Sequence, residues 1–266
     1  MGSMRVLPTE FTVADETIRG DFVLPNGDGP FPGICKFHGL PGGPDQVSGI
    51  ATRLAQTGFA VLTFDFRGFR KSEGLFRLAG EIEDAKAAIT HLLECSLTVD
   101  SWAGVYGASY GGAVAVCVAA QDPRIDTLCL RAPVYDTLWF AESPMIGPAV
   151  NHMFETGSSQ IHGIEDPTTL HQILALMVDD ARTYNPINEV SKISPRPILV
   201  VHGSDDSDID LVGVKRLYGL AGDPKELIIV DGADHKLTNP AAYEMTVTTV
   251  IGWFMKQWNQ SRSEVQ

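Results

Sequence analysis

Residues 107 to 111 read Gly-Ala-Ser-Tyr-Gly, with an apolar run ending at Tyr106 and a run of small residues beginning at Gly112. A strand, a G-x-S-x-G pentapeptide and a helix, in that order, form the sharp turn that exposes a nucleophilic serine at the top of a sheet. Only glycine fits at the flanking positions without a Cβ clash. The pattern therefore predicts Ser109 as a nucleophile beside the positive end of a helix. Taken alone, it is also compatible with a glycine-softened turn that holds an incidental serine.

Two later loops supply the partners that such a serine requires. His-Gly-Ser-Asp-Asp (202–206) and Gly-Ala-Asp-His (232–235) each follow an apolar run of strand length. A serine hydroxyl becomes a nucleophile when an imidazole removes its proton, and a carboxylate fixes the tautomer of that imidazole. Loops at one edge of a parallel sheet converge although they lie far apart in sequence. We therefore expect His235 to be the general base and an aspartate of the first loop to be the acid.

Three glycine-rich motifs give the chain its resemblance to a known family. They are His-Gly-Leu-Pro-Gly-Gly (38–43), Asp-Phe-Arg-Gly-Phe-Arg-Lys-Ser-Glu-Gly (65–74) and Gly-Ala-Ser-Tyr-Gly-Gly (107–112), and the segment 185–206 adds a fourth match. On these motifs the chain resembles the α/β-hydrolase superfamily over nearly all of its length. It is most similar to small single-domain serine esterases, including the feruloyl-esterase-like group, and to the catalytic domain of prolyl-oligopeptidase-like enzymes. The resemblance implies an α/β fold, a mostly parallel central sheet with helices on both faces.

The alternation of apolar and amphipathic runs independently predicts that fold. Residues 11–13 and 18–24 flank a turn and predict an antiparallel hairpin at the sheet edge. From residue 33 onward, strand-length apolar runs alternate with helix-length runs. Such alternation is typical of right-handed crossovers in a mostly parallel sheet.

One segment breaks the alternation, because about 65 residues separate the predicted strands 127–131 and 197–201. The pair Asp-Pro at 166–167 predicts the start of a helix within it. We interpret residues 136–182 as a small cap insertion over the active site of a single domain at 4–266. Its apolar side chains either pack the insertion onto the body or form a wall suited to acyl and aryl groups. The candidate substrate-binding residues are Trp139, Phe140, Met145 and Met153.

The acid of the candidate site is ambiguous, because four aspartates stand within 205–210. In the family that the chain resembles, the acid lies three residues after the glycine of His-Gly, which is Asp206 here, and Asp205 is the alternative. A calcium-binding loop is excluded, because Leu211 and Leu217 stand where an EF-hand needs glycine and glutamate.

An oxyanion hole requires two backbone N–H groups that face the developing negative charge. One is expected from Tyr110, the residue after the nucleophile. By similarity to the family, the other belongs to Leu40, which follows His38 and Gly39. The alternative for this loop is a glycine- and proline-rich surface turn. A phosphate-binding loop is excluded, because no Gly-Lys-Ser/Thr follows.

Four further residues receive structural rather than catalytic roles. His38 and His202 each end an apolar strand before a glycine, and we expect them to hold their loops by hydrogen bonds. Arg67 is expected to tie loops together through carboxylates. By resemblance, many relatives carry glycine where Arg70 stands, so we expect a different turn there or a charge near the entrance.

Composition limits the classes of partner. A formal net charge of −13 disfavours nucleic acid and anionic membranes. The longest apolar run, 113–120, is too short to span a bilayer, and no charged-then-apolar signal follows Met4. The four cysteines lack paired spacing, and no cluster has zinc-like spacing, so we expect no metal or cofactor. The expectation is a cytoplasmic protein that acts on a small-molecule ester and that could form a homodimer.

These residues favour a serine hydrolase that cleaves carboxylic esters, feruloyl and other aryl esters among them, through an acyl-enzyme. A peptidase, a thioesterase and an acyltransferase use the same triad. An esterase is preferred over a peptidase, because related peptidases usually carry a large additional domain that this chain is too short to hold. The alternative from another class is a non-catalytic binding protein of the same fold. A dehalogenase with an aspartate nucleophile is excluded by Ser109.

Overall fold

Eight strands form one sheet in the computed structural model, which describes residues 4–40, 47, 49–144 and 160–264. The strands are β1 (Met4–Val13), β2 (Glu16–Pro25), β3 (Phe31–Phe37), β4 (Ala60–Phe64), β5 (Thr98–Ala108), β6 (Thr127–Arg131), β7 (Ile198–Gly203) and β8 (Lys225–Val230). Their order is β1-β2-β4-β3-β5-β6-β7-β8. The pairs β1–β2 and β2–β4 are antiparallel and all the others are parallel. The predicted edge hairpin and mostly parallel sheet are both confirmed.

Helices connect these strands as the crossovers of a parallel sheet require. They are α1 (Ile50–Gln56), α2 (Leu78–Glu94), α3 (Tyr110–Ala119), α4 (Thr137–Ala141), α5 (Pro167–Thr183), α6 (Pro186–Glu189), a 3₁₀ turn (Val190–Ile193), α7 (Leu211–Leu220) and α8 (Pro240–Glu264). Within the described ranges, none of them combines the length and apolarity that a bilayer crossing demands.

The inner strands of the sheet are buried on both faces, and their side chains divide between two hydrophobic clusters. On β5, Trp102 and Tyr106 belong to one cluster, whereas Ala103 and Val105 belong to the other. This division follows from the two-residue period of a strand. Residues of α1 and α8 complete the first cluster, and residues of α2 and α3 complete the second. A parallel sheet covered on both faces explains why its central strands are almost continuously apolar.

The helix after Ser109 is a core helix. All ten residues of α3 are buried, because glycine, alanine and valine let it lie close to the sheet. A helix that is apolar all round belongs inside a protein. The start of α3 is therefore held by packing within the core.

The segment between β6 and β7 is tied to the body at two places. The Asp166 side chain accepts the N–H of Thr169 at 2.8 Å and caps α5, as the aspartate-proline pair predicts. At the other end of α5, Asp180 accepts from the Arg77 guanidinium and from the N–H of Ala79 in the first turn of α2, each at 3.0 Å. Ahead of α5, residues 160–162 bond to the loop 68–70 through an antiparallel bridge.

A carboxyl group lies within the core beneath this segment. Glu81 of α2 is 1% exposed, and its Oε2 has no hydrogen-bond partner among the described residues. Burial, and secondly the neighbouring Asp84, raise the pKa of Glu81 well above its usual 4.5, although Arg67 opposes the shift. The folded protein therefore keeps a proton that the unfolded chain loses above that pH. Linkage requires this group to lower the free energy of unfolding as pH rises above about 4.5.

Glu81→Gln should therefore stabilise the protein at pH 8 and lose that advantage towards pH 4, because glutamine resembles the neutral carboxyl. Urea unfolding across this pH range measures the difference. Glu94→Gln, an exposed change on the same helix, is the control and should change the free energy of unfolding at pH 8 by less than about 0.5 kcal/mol. An equal effect of Glu81→Gln at both pH values would contradict the assignment.

Candidate active site

Ser109 is the single residue between β5 and α3, and its backbone conformation is strained. Its φ is 53° and its ψ is −122°, a region that residues with a side chain rarely adopt. Backbone hydrogen bonds hold it there, since its N–H donates to the Arg131 carbonyl and its carbonyl accepts the N–H of Val134, both at 3.0 Å. The predicted strand, turn and helix are thus present, and the serine side chain is raised above the sheet.

Backbone segments cross this turn too closely for any Cβ atom. A Cβ on Gly107 would lie 2.5 Å from the Gly111 carbonyl oxygen, and one on Gly111 would meet the carbonyls of Phe37 and His38. A Cβ on Gly39 would lie 2.8 Å from the Ser109 Cβ and 3.4 Å from its Oγ. The loop after β3 therefore runs directly against the serine, which requires glycine on both sides of the contact.

The structure brings Ser109, His235 and Asp206 into one hydrogen-bonded chain. The Ser109 Oγ lies 3.1 Å from the Nε2 of His235, and the Nδ1 of His235 lies 2.8 Å from the Oδ2 of Asp206. Each residue follows a different strand of the same sheet edge, namely β5, β8 and β7. The Asp206 side chain is 1% exposed, whereas that of His235 is 16% exposed. The carboxylate is thus shielded, while one side of the imidazole remains accessible.

The geometry separates the two candidate acids. The second oxygen of Asp206 accepts the N–H groups of Asp208 and Ile209, each at 3.0 Å. Burial is the largest influence and acts to raise the pKa of Asp206, but the His235 and Ile209 hydrogen bonds outweigh it and lower that pKa overall. Asp205, by contrast, is exposed and accepts a hydrogen bond from Ser204. The ionised acid beside His235 is therefore Asp206.

Sequence reasoning missed the partner of the His235 backbone. The Arg131 guanidinium donates to the His235 carbonyl oxygen at 2.6 Å. Arg131 is the last residue of β6, and β6 pairs with both β5 and β7. The sequence showed only that Arg131 ends a predicted strand. The spacing of residues does not indicate which backbone carbonyl its side chain would reach.

The two predicted oxyanion donors lie on either side of the close contact at Ser109. Tyr110 begins α3, and the first N–H groups of a helix have no acceptor within that helix. Leu40 follows Gly39 and packs against the hydrophobic core. His38 fixes this loop, because its Nδ1 lies 2.9 Å from the Gly39 carbonyl oxygen and its Nε2 accepts the N–H of Phe66 at 3.0 Å.

His38 also stays neutral, because burial lowers its pKa to about 3. A structural role was expected for this residue, and its two hydrogen bonds provide one. His202 differs: it is 1% exposed, and its ring nitrogens form no hydrogen bond of good geometry within the described chain. The Ile209 backbone, in the loop after β7, is the hydrogen-bonding group that the ring approaches. In the same described ranges, no group of three or more His, Cys, Asp or Glu side chains is placed to hold a metal ion.

Aromatic side chains pack around the ring of Tyr110, the residue that follows Ser109. The ring of Tyr110 lies 5.8 Å from that of Phe76 and 5.4 Å from that of Phe140. Trp139 stacks on Tyr135 at 4.9 Å and is 40% exposed. The predicted substrate-binding residues Trp139 and Phe140 thus lie on α4, whereas Met145 and Met153 fall outside the described residues.

The two arginines of the loop after β4 are held by carboxylates. Arg67 contacts Asp84 at 2.7 Å and Glu16 at 3.2 Å, which is the loop-tying role expected of it. Arg70 lies 3.3 Å from Asp65 and has a φ of 47°. This left-handed conformation is one that glycine adopts freely, so arginine occupies a glycine-like turn here.

Comparisons with known proteins agree with this architecture. The model of the X-Pro dipeptidyl-peptidase (S15) family matches residues 15–144. The uncharacterized protein YfhR of Escherichia coli O157:H7 is 29% identical over 230 residues, 85% of this chain and 72% of that protein. Est1E from Butyrivibrio proteoclasticus, in a structure with ferulic acid bound, has a TM-score of 0.76 at 17% identity and covers 94% of this chain and 99% of its own. The esterase PF2001 of Pyrococcus furiosus has a TM-score of 0.71 at 20% identity, with 96% and 91% covered. Together with the strand order and the turn at Ser109, these likenesses show that the chain has the α/β-hydrolase fold.

Proposed function

We propose that the protein is a serine hydrolase that cleaves carboxylic esters through an acyl-enzyme intermediate. The observation that carries this proposal is the unbroken hydrogen-bonded chain from Ser109 through His235 to Asp206, at 3.1 and 2.8 Å. Both distances are within the reach that proton transfer requires. The carboxylate holds the imidazole with its Nε2 facing the serine, the tautomer that a general base needs.

In the proposed reaction, the Ser109 Oγ attacks the ester carbonyl carbon while its proton passes to the Nε2 of His235. Asp206 remains ionised and stabilises the resulting imidazolium. Collapse of the tetrahedral intermediate breaks the bond to the alcohol oxygen, which takes the proton from His235. Water then attacks the acyl-enzyme with the same base, and the carboxylic acid leaves Ser109 free.

The negative oxygen of each tetrahedral intermediate is assigned to the N–H groups of Tyr110 and Leu40. Support comes from the contact of Gly39 with Ser109, which brings the loop after β3 beside the nucleophile. Preorganised backbone donors of this kind each contribute on the order of 10²- to 10³-fold to the rate. His38 holds this loop through its hydrogen bond to the Gly39 carbonyl. Because the pKa of His38 is lowered to about 3, the ring is neutral at neutral pH.

Residues 136–182 are proposed as the cap over this site, with Trp139 and Phe140 on its inner wall. Phe140 packs at 5.4 Å against the ring of Tyr110, the residue next to Ser109, and this contact places α4 near the nucleophile. The partly buried Phe140 and the exposed Trp139 would then offer an apolar surface to an acyl or aryl group. The esterase neighbours support ester substrates, and the ferulic acid bound to Est1E makes aryl esters the first class to test.

A serine peptidase is the second candidate, because the matching family model describes X-Pro dipeptidyl-peptidases. The same triad cleaves amides when the leaving amine is protonated by the histidine. Parallel assays with p-nitrophenyl butyrate, methyl ferulate and Ala-Pro-p-nitroanilide separate the two. Amide cleavage at a kcat/KM comparable to that for the esters would replace the esterase proposal with the peptidase.

The decisive test is Ser109→Ala. We expect the wild-type protein to hydrolyse p-nitrophenyl butyrate and to bind one fluorophosphonate per chain, and we expect the variant to do neither. Its Tm should match the wild type, because alanine removes one hydroxyl and no core packing. A wild-type protein without turnover or label would instead indicate a binding protein of this fold.

Asp206→Asn and Asp205→Asn form a matched pair of adjacent changes. Asparagine at 206 favours the wrong imidazole tautomer, so kcat should fall on the order of 10⁴-fold. Asparagine at 205 changes an exposed residue, and its kcat should stay at the wild-type value. Steady-state kinetics on p-nitrophenyl butyrate measures both. A comparable loss in both variants would refute the assignment of Asp206.

Gly39→Ala tests the close approach at the nucleophile. The added methyl would lie 2.8 Å from the Ser109 Cβ, so the loop must move away and carry the Leu40 N–H with it. We expect kcat to fall by about 10²-fold or more. Gly219→Ala is the control, because nothing lies within 4 Å of its added Cβ. That change should keep the wild-type kcat and stabilise α7 by about 0.5–1 kcal/mol. Equal kcat in Gly39→Ala and wild type would show that the contact is not needed.

A further inference from the structure

Arg131 forms hydrogen bonds with the backbone of both Ser109 and His235. Its carbonyl oxygen accepts the N–H of Ser109 at 3.0 Å. Its guanidinium Nη1 donates to the carbonyl oxygen of His235 at 2.6 Å. A hydrogen bond from a guanidinium is charge-assisted and stronger than a neutral one. One residue thus joins the two groups whose separation sets proton transfer.

The position of His235 calls for such a contact, because its loop has to reach across the sheet. The loop follows the edge strand β8, and β7 and β6 lie between it and β5, which carries Ser109. Hydrogen bonds within the loop fix its own shape. Two further bonds, at residues 232–233, tie it to the loop after β7. Those bonds, and that of His235 to Asp206, tie it to β7, which lies two strands away from β5, whereas the bond from Arg131 ties it to β6, the neighbour of β5.

Arg131 is itself held rigidly enough to serve as a reference point. It lies in register with Ala108 of β5 on one side and with Val201 of β7 on the other. The side chain of the buried Tyr106, two residues before Ala108, contacts the guanidinium. A half-buried arginine fixed on a central strand loses little freedom when it forms its hydrogen bond.

We propose that Arg131 is a positioning residue that sets where His235 lies relative to Ser109. The inference rests on the proposed function, and Arg131 does not itself touch the reacting atoms. Without the guanidinium, the imidazole would drift from the line between Ser109 and Asp206. A displacement of about 1 Å at such a site lowers the rate by about 10²-fold.

The test compares Arg131→Met, which keeps the stem and removes the donor, with Arg131→Lys, which keeps a cationic donor. For p-nitrophenyl butyrate, Arg131→Met should lower kcat by about 10- to 100-fold and leave KM within about twofold. Arg131→Lys should recover part of the loss. Guanidinium ion added to Arg131→Ala should restore activity, while the same ion leaves the wild type unchanged.

Arg196→Met is the matched control. The Arg196 guanidinium also donates to backbone carbonyls, those of Ala119, Asp122 and Ile125, at 2.5 to 3.1 Å. It precedes β7 at the opposite end of the sheet from the triad. We expect Arg196→Met to lower Tm and to leave the kcat of the folded protein unchanged. A loss of activity in Arg131→Met alone therefore reports on position rather than on stability.

Wild-type kcat in Arg131→Met would overturn the inference and leave the esterase proposal intact. So would a loss of kcat that matches the loss of folded protein, or one that neither lysine nor guanidinium repairs. If Arg131→Met does not fold, Arg131→Lys and Arg131→Gln provide the same comparison of kcat, KM and Tm. A wild-type protein that neither turns over ester nor accepts the fluorophosphonate would overturn both proposals together.

Discussion

The structure depends on a crossing of backbone at Ser109 that leaves no room for side chains. Gly107 and Gly111 flank the serine, and Gly39 from another loop closes on it. Because the Cβ atoms are missing, the end of β5, the start of α3 and the loop after β3 approach one another directly. That approach raises the serine hydroxyl and brings two backbone segments to the same point. The φ of 53° at Ser109 is an unfavourable backbone conformation, and the packing of the surrounding core stabilises it.

His235 lies in a loop without strand pairing, so side-chain hydrogen bonds hold it near Ser109. The Asp206 carboxylate takes two N–H groups of its own loop with one oxygen and His235 with the other. Arg131 holds the backbone of His235 from the opposite side. His235 is therefore bonded to a carboxylate through its ring and to a guanidinium through its backbone carbonyl. A rigid sheet supplies both, since β6 and β7 are neighbouring inner strands.

Local patterns predicted the fold and the three residues that the structure joins by hydrogen bonds at Ser109, but they did not predict other contacts between distant loops. The pentapeptide at 107–111 specifies strand, turn and helix through its glycines, and strand length follows from apolar runs. Spacing could not separate Asp205 from Asp206, because the two are adjacent. What distinguishes them is the turn that brings the N–H of Ile209 to the carboxylate of Asp206. The bond from Arg131 to the His235 carbonyl depends on how far one loop crosses the sheet, which sequence spacing does not encode. The edge hairpin extends beyond its apolar run, to Met4–Val13 and Glu16–Pro25, because pairing continues through polar residues.

Tyr110 links the proposed chemistry to the proposed substrate wall. Its N–H begins α3 beside Ser109, while its ring is held between Phe76 and Phe140. Phe140 belongs to α4, which Asp136 caps through the N–H groups of Leu138 and Trp139. A change that rotates α4 would therefore press on the ring of Tyr110 and, through its backbone, on the oxyanion donor. The proposed oxyanion donor is therefore coupled through packing to the helix that carries the proposed substrate wall.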